Sequence, residues 1–479
     1  MVRSALDDPT PATVLRSQAT QRPYSRHLAV LLVASALLPA TRVRATSPKG
    51  LTLEDCLGYA HVHNLDLRVA RTETAIVRAR MHEAGARYLP SLSLDGYYTT
   101  YDTTPSQNVS VPPNLRVTVP GGQTVPVTLH GPLTVQTTPR DPSDMKLALS
   151  QPLFTSGKLT NAFTVRREEA TQATLQETQT QAQVDLEIER AFDALLLAEE
   201  ALALQEEIGP QTSNVLADVE HRFAEQSASR LELLEAQDAR TRAQMPLLRA
   251  RQDLRTRRDD LSQLLAWEED RALVIQGHLT VVPLHPDPRA LVQRALADRA
   301  ELRVLAQELK VKEEELLSVK LANTPSVSLV GNYEFVQRAR NDLPENVLSG
   351  GVALTWPIFE GGTILPRLQA ASLAVDAVRL RIQQRRSRIE FEVEKAVGDL
   401  AVAAEAHETQ QRDVETAGER VRMAAAGAQA GTLPPVGLVR ERMALLDARL
   451  TEAELRFEHV IARARLEYAV GAAPGHLEL

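Results

Sequence analysis

The chain contains the same plan twice. Leu89-Pro-Ser-Leu-Ser-Leu94 returns as Thr324-Pro-Ser-Val-Ser-Leu329, followed by Gly96 and Tyr98 as Gly331 and Tyr333. That offset of 235 residues also sets Ala60 against Ala295 and Leu67 against Leu302. Further on the offset becomes 205: Leu149-Ser-Gln-Pro-Leu-Phe154 matches Leu354-Thr-Trp-Pro-Ile-Phe359, and Gly157 matches Gly362. The apolar seam Val184, Ile188, Ala191, Leu195, Ala198 then falls on Ile389, Val393, Ala396, Leu400, Ala403, and Leu261 falls on Leu466. The 30-residue change of offset sits in one connection, 103–143, whose counterpart 338–347 is short. Self-similarity of this length decides architecture before any single motif does. Each copy, 46–267 and 268–479, reads as helix, strand, loop, strand, very long helix, turn, long helix.

The strands, over about 89–101, 144–154, 325–337 and 348–359, alternate in polarity. Leu92, Leu94 and Tyr98 oppose Ser91, Ser93 and Asp95; Met145, Leu147 and Leu149 oppose Lys146, Ala148 and Ser150. In the second copy Val327, Leu329, Tyr333 and Phe335 oppose Ser326, Ser328, Asn332 and Glu334, while Val352, Leu354 and Trp356 oppose Gly351, Ala353 and Thr355. A membrane barrel needs this pattern, apolar to lipid and polar to the lumen; a half-buried soluble sheet shows it too. Two hairpins are too few strands to close a barrel, so their edges must pair with other subunits. The helical stretches 159–224 and 364–429 can each run about 100 Å, and rods with heptad seams pack side by side rather than in a globule. Gly209-Pro210 and Pro246 are expected to kink or break the first copy, since Val414-Glu415 and Thr451 stand opposite them.

Residues 1–45 read as a cleaved export signal: Arg22 and Arg26, the apolar run Leu28–Leu38, then Val43-Arg44-Ala45. A membrane anchor is the alternative, but the run is short for a bilayer. No later segment has eighteen consecutive apolar residues, so a membrane-spanning portion has to be built of strands. The single cysteine, Cys56, sits at helical spacing with Leu53, Leu57 and Ala60 and reads as a packed thiol. Net charge is −8 with no basic stripe interleaved with aromatics, which excludes nucleic acid as a natural partner. Candidate chemistry is thin. Gly157-Lys158 lacks the remaining spacing of a phosphate loop. His61 and His63, two apart on a helix, do not share a face and read as solvated rather than zinc-bound. Glu313-Glu314-Glu315 reads as a solvated face. No enzyme site and no cofactor emerge.

The ordered set of segments resembles the TolC-like outer-membrane efflux family along essentially the whole mature chain. Leu51-Thr-Leu-Glu-Asp-Cys-Leu-Gly-Tyr-Ala60 with Asn64-Leu-Asp-Leu67 is similar to that family's first helix. Gln151-Pro-Leu-Phe-Thr-Ser-Gly157 and Trp356-Pro-Ile-Phe-Glu-Gly-Gly362 are similar to its strand borders, and Arg222-Phe223 with Leu231-Glu-Leu-Leu-Glu-Ala-Gln237 to its first hairpin tip. The resemblance implies a mainly α protein with a membrane β-barrel portion. Three chains would form a homotrimer with a 12-stranded barrel in the outer membrane and an α-helical tunnel through the periplasm. Leu92, Leu94, Tyr98, Leu147, Leu149, Val327, Leu329, Tyr333, Val352, Leu354 and Trp356 would face outer-membrane lipid. The strand loops would face outside. The tips, about 225–230 and 430–436, would meet a periplasmic adaptor coupled to an inner-membrane pump, in a tripartite efflux or type I secretion system. Gln226, Ser227, Ala228 and Ser229 form the first tip; Gly431, Thr432, Leu433, Pro434 and Pro435 form the second.

The chain departs from the family pattern at both tips. Gln226 stands where the family has glycine, Gly427 and Ala428 replace a basic-aromatic pair, and Gly437 and Arg440 occupy positions that in some members form an acidic ring. Glu232 matches an acidic position of the first tip. Glu232 and Arg440, about one turn inside their hairpins, are therefore expected to form an entrance gate. A secreted periplasmic coiled-coil scaffold or an adaptor would share the long hairpins; the duplicated lipid-type alternation argues against it.

Overall fold

A computed structural model describes residues 50–103, 106–110, 116–118, 120–126, 133–136, 143–268, 273–284, 286–337, 346–472 and 475. The expected export signal lies outside the described residues. The first copy opens with α1 (Leu53–His63) and α2 (Leu65–Ala86), then β1 (Ser91–Tyr98). Four short strands follow: β2 (Ser106–Val109), β3 (Arg116–Thr118), β4 (Thr124–Pro126) and β5 (Leu133–Gln136). Then come β6 (Ser143–Phe154), the 67-residue α3 (Lys158–Ala224) and α4 (Arg230–Leu265). The second copy runs α5 (Pro288–Asp298), α6 (Ala300–Leu321), β7 (Ser326–Gln337), β8 (Asn346–Thr355), the 66-residue α7 (Ile364–Gln429) and α8 (Pro435–Val470). All four long strands appear where the alternation puts them, within a few residues at each end. The connection 103–143 carries more than a loop: β2 pairs with β5 and β3 with β4, two small antiparallel ribbons without counterpart among the described residues of the second copy.

The expected break at the prolines does not occur. Pro210 and Pro246 lie inside helices that continue through them. Beside Pro210 the hydroxyls of Thr212 and Ser213 donate to the Gly209 carbonyl at 2.9 and 3.1 Å, extra hydrogen bonds in the turn where the ring removes one.

Packing repeats as the sequence does. Cys56, Ala60 and Leu67 are buried against Ile188, Leu195 and Leu261 in the first copy; their counterparts Leu291, Ala295 and Leu302 are buried against Val393, Leu400 and Leu466 in the second. Cys56 thus fills a leucine's place, and burial pushes its thiol up to about 11. Toward the tips, Leu216, Val219, Leu233 and Ala236 of the first hairpin enclose Val436 of the second, and Ile208 and Ala243 meet Leu446. The two hairpins therefore lie side by side within one chain, with α3 and α8 in contact. Each apolar side chain removed from water along such a seam contributes about 1.5–3 kcal/mol, which offsets the entropy of ordering long rods.

The copies differ systematically in their turns. Ser156, Gln226 and Ala266 of the first copy hold left-handed backbone, with φ of 51°, 60° and 50°. Their counterparts at the 205 offset are Gly361, Gly431 and Gly471, also at positive φ. The second copy uses the residue without a Cβ at three turns where the first copy tolerates a side chain.

Candidate functional site

The long strands form one sheet in the order β1-β6-β7-β8, antiparallel throughout. Its register sets Leu92 opposite Leu149 and Leu94 opposite Leu147, then Leu147 opposite Tyr333, Leu329 opposite Val352 and Val327 opposite Leu354. Directly opposed residues share a face, so the apolar strand residues singled out above, including Met145 and Phe335, lie on the same side, except Trp356, which falls just past the end of β8 and has no partner in the register. Lys146 and Glu334 oppose each other on the other side, 3.6 Å apart. The apolar side is open within one chain: Leu92 is 65% and Leu354 67% exposed. So are both sheet edges, β1 and β8, whose backbone groups have no strand beside them among the described residues. Among those residues no helix is long and apolar enough to cross a membrane.

At the opposite end of the long helices the two tips share one backbone solution. The amides of Ser227 and Ala228 donate to the Arg222 carbonyl at 2.8 and 3.2 Å; those of Thr432 and Leu433 donate to the Gly427 carbonyl at 2.9 and 3.2 Å. The Ser227 and Thr432 hydroxyls repeat the match, each 3.0 Å from the same carbonyl as its own amide. This is a helix C-cap requiring a left-handed residue, supplied by Gln226 and by Gly431. The following helices start differently. Ser229 caps α4 by accepting from the Glu232 amide at 3.1 Å. Pro434 and Pro435 occupy the cap and first position of α8, where a missing N–H leaves no helical bond unmade.

Side chains at the tips differ more than the backbone. Arg222 and Glu232 form an ion pair across the first turn, and Arg222 also reaches Asp218 at 3.1 Å. The hydrogen bond to Glu232 holds the Arg222 guanidinium above its usual range. The matching positions of the second tip are Gly427 and Gly437, and Leu433 lies over both: a Cβ added at either would meet the leucine side chain at 3.3 or 3.0 Å. An ion pair spanning small Ala228 in one tip is replaced by a leucine over two glycines in the other. Arg440 is exposed, and no hydrogen bond or ion pair holds it among the described residues. Within one chain, then, Glu232 is engaged by Arg222 rather than by Arg440.

Several residues read as solvated are held. His61 Nε2 lies 2.6 Å from Asp185 of α3, and His63 stacks on Tyr59. The acidic run is divided among three neighbours: Glu313 with Arg379, Glu314 with Asn161, Glu315 with Lys312. Lys158 donates to the Thr324 carbonyl at 2.6 Å, so Gly157-Lys158 is a turn that ties the copies together. Among the described residues no group of His, Cys, Asp or Glu is arranged to hold a metal ion. Sequence reasoning missed a buried acidic row on α3, Asp185, Glu189 and Asp193. Its signal was available: acids one turn apart, adjacent to the Val184–Ile188–Leu195 seam.

Comparison with known proteins agrees with this geometry. The family described as "Outer membrane efflux protein" matches residues 57–266 and 291–472, one block per copy. Solved structures with the same fold include the Campylobacter jejuni CmeC outer membrane channel, 14% identical over 89% of this chain and 87% of that one, with a TM-score of 0.69. The open state of the Neisseria gonorrhoeae MtrE outer membrane channel is 16% identical over 88% and 89%, with a TM-score of 0.67. The outer membrane protein VceC from Vibrio cholerae is 15% identical over 88% and 96%, with a TM-score of 0.65. No curated protein sequence matches this one.

Proposed function

Since the chain belongs to the outer membrane efflux protein family, we propose that three copies assemble into a passive exit duct whose tips dock on a periplasmic adaptor beneath an inner-membrane pump. The protein is an outer-membrane efflux channel by family; the trimer, the docking and the pump are the reading argued here. The sheet carries it. Four strands with one apolar face and two open edges satisfy neither lipid nor backbone alone. Three copies supply twelve strands, and the alternating directions let β8 of one copy pair antiparallel with β1 of the next. A second observation supports the same assembly: Leu373, Leu380, Phe391 and Val402, seven and eleven residues apart along one face of α7, are exposed in the single chain. A neighbouring copy would cover them.

The two tips are where long helices reverse, so Gln226–Ser229 and Gly431–Pro435 are the surfaces offered to an adaptor. Glu232 and Arg440, just inside them, would border the entrance in three copies each. Efflux of small toxic molecules and type I secretion of proteins both use such a duct, and energy would come from the pump. Cross-linking of the detergent-purified protein tests the assembly: the expected product is a trimer, and a stable monomer in plain buffer overturns the reading. Bulky charged residues at Ala228 or Gly431 should abolish export at normal trimer yield; unchanged export would move docking away from the tips.

A further inference from the structure

Where α3 of the first copy packs on α8 of the second, three carboxyl groups are buried one turn apart: Asp185, Glu189 and Asp193, the last two 8% and 7% exposed. Asp185 is held by His61 of α1 at 2.6 Å. Glu189 and Asp193 have no hydrogen bond or ion pair among the described residues. The positive group facing Glu189 from α8 is Arg463, and it is turned to Glu467, 2.9 Å away on its own helix. Glu189 lines a cavity of about 290 Å³ together with Glu467 and Tyr468 of α8 and with the α5–α6 junction. The charges of that junction are committed elsewhere: Arg299 to Glu392, Arg303 to Asp298, Glu301 to Arg385. Along this seam two buried carboxyls are left without a counter-ion, and a third acid, Glu467, adds to the repulsion on Glu189.

We propose that the α3–α8 seam is a proton-binding site that fastens the two hairpins of one chain: Glu189 and Asp193 each hold a proton from solvent while the helices are closed and release it when they part. Ionised carboxylates cannot be taken from water into such a seam without a partner, whereas protonated ones can. Burial accordingly pushes Glu189 up to about 8, with repulsion from Asp193 next, and pushes Asp193 up to about 7. Parted helices would expose both groups to water and return them to the ordinary carboxyl range, about 4. The closed seam therefore holds more protons than the open one between those limits. Rising pH favours opening by up to about tenfold per pH unit for each group, and above about pH 8 no further change follows. His459 of α8, buried with both ring nitrogens unpartnered, acts in the opposite sense: burial pushes it down, with charge on His407 and Arg463 adding, so it resists charging in acid. His407 itself is held by Glu452 at 2.9 Å. The seam therefore loosens as pH rises through the carboxyl range, and charging of His459 in acid only offsets part of the tightening on the other side.

The test compares the full-length protein with Glu189→Gln/Asp193→Asn, which copies the protonated shape without a titrating group. Amide exchange of segments 185–193 and 459–467, corrected for the chemical pH dependence of exchange, reads the opening equilibrium directly. Opening in the native protein should rise at least about tenfold from pH 6 to 8, and in the variant by less than about twofold. Should the double variant fail to fold, Glu189→Gln alone should still remove most of the rise. A variant with the native pH dependence overturns the proposal. Neither measurement involves transport, so its failure leaves the channel reading where it stands, and failure of the channel reading leaves the seam testable.

Discussion

Replacing Gln226 by glycine should tighten the first tip. Gln226 stands at φ 60°, and its counterpart Gly431 at 70° performs the same turn with the same two hydrogen bonds to a carbonyl five and six residues before the donors. Left-handed backbone costs a residue with a Cβ roughly 1–2 kcal/mol. Glycine gives back about 0.5–1 kcal/mol of that through the greater freedom of its unfolded chain. The net gain is about 0.5–1 kcal/mol, or roughly a two- to fivefold shift in the fraying equilibrium of the turn. No side-chain hydrogen bond of Gln226 is lost among the described residues, so nothing offsets it. Amide exchange of Ser227 and Ala228, the donors to the Arg222 carbonyl, should slow by that factor in Gln226→Gly, and exchange of Thr432 and Leu433 should quicken by a similar factor in Gly431→Gln. Equal or faster exchange in Gln226→Gly would refute the backbone argument, because the only change made is removal of a side chain from a strained φ.

If the apolar face meets lipid, Leu147→Arg, in the middle of β6, should cost about 2–4 kcal/mol and deplete the protein from outer-membrane fractions, while Ser328→Arg on the polar face should leave its level nearly unchanged. If Arg440 borders the entrance, Arg440→Asp should raise cation selectivity in planar bilayers; identical reversal potentials under a salt gradient for native and variant protein would end the gate proposal. His459→Leu installs the residue found at the matching position of the first copy, Leu254. A histidine held neutral contributes stability that is present above its unfolded value near 6.5 and is lost as pH falls below it, so thermal unfolding of the variant between pH 7 and 5 should be flatter than that of the native protein.

How much of this was readable beforehand follows from what periodicity records. Offsets of 235 and 205 carry backbone information, and they located the long strands, both long hairpins and the two tips. Even the phase of each strand was legible, because a two-residue period leaves only two choices and the register then confirmed one continuous apolar face. Pro210 and Pro246 do not break their helices, for a physical reason: a proline removes one hydrogen bond, and a helix packed along its length on neighbours, helped beside Pro210 by the hydroxyls of Thr212 and Ser213, absorbs that loss. Partners across long separations left no trace. Nothing in the sequence joins His61 to Asp185, so His61 reads as solvated although α1 lies on α3 and the two side chains meet.

The tips show why duplicated sequence predicts turns better than chemistry. One backbone motif needs only a left-handed residue and two amides, and the two copies meet that need alike. The side chains inside it are then free to diverge, provided they change together. Arg222 with Glu232 around small Ala228 is one solution; Leu433 over Gly427 and Gly437 is the other. Each looks like a defect when read one residue at a time, a missing basic residue here or an unexpected glycine there. Exchanging a single member, Gly437→Glu for instance, would drive a side chain into Leu433 at a Cβ contact of 3.0 Å without supplying the arginine that makes glutamate acceptable. Gly427→Arg, Leu433→Ala and Gly437→Glu together should restore a tip as stable as the first, and the triple variant should protect the Thr432 amide more than Gly437→Glu alone does. A single variant as well protected as the triple would show that the three positions are not coupled.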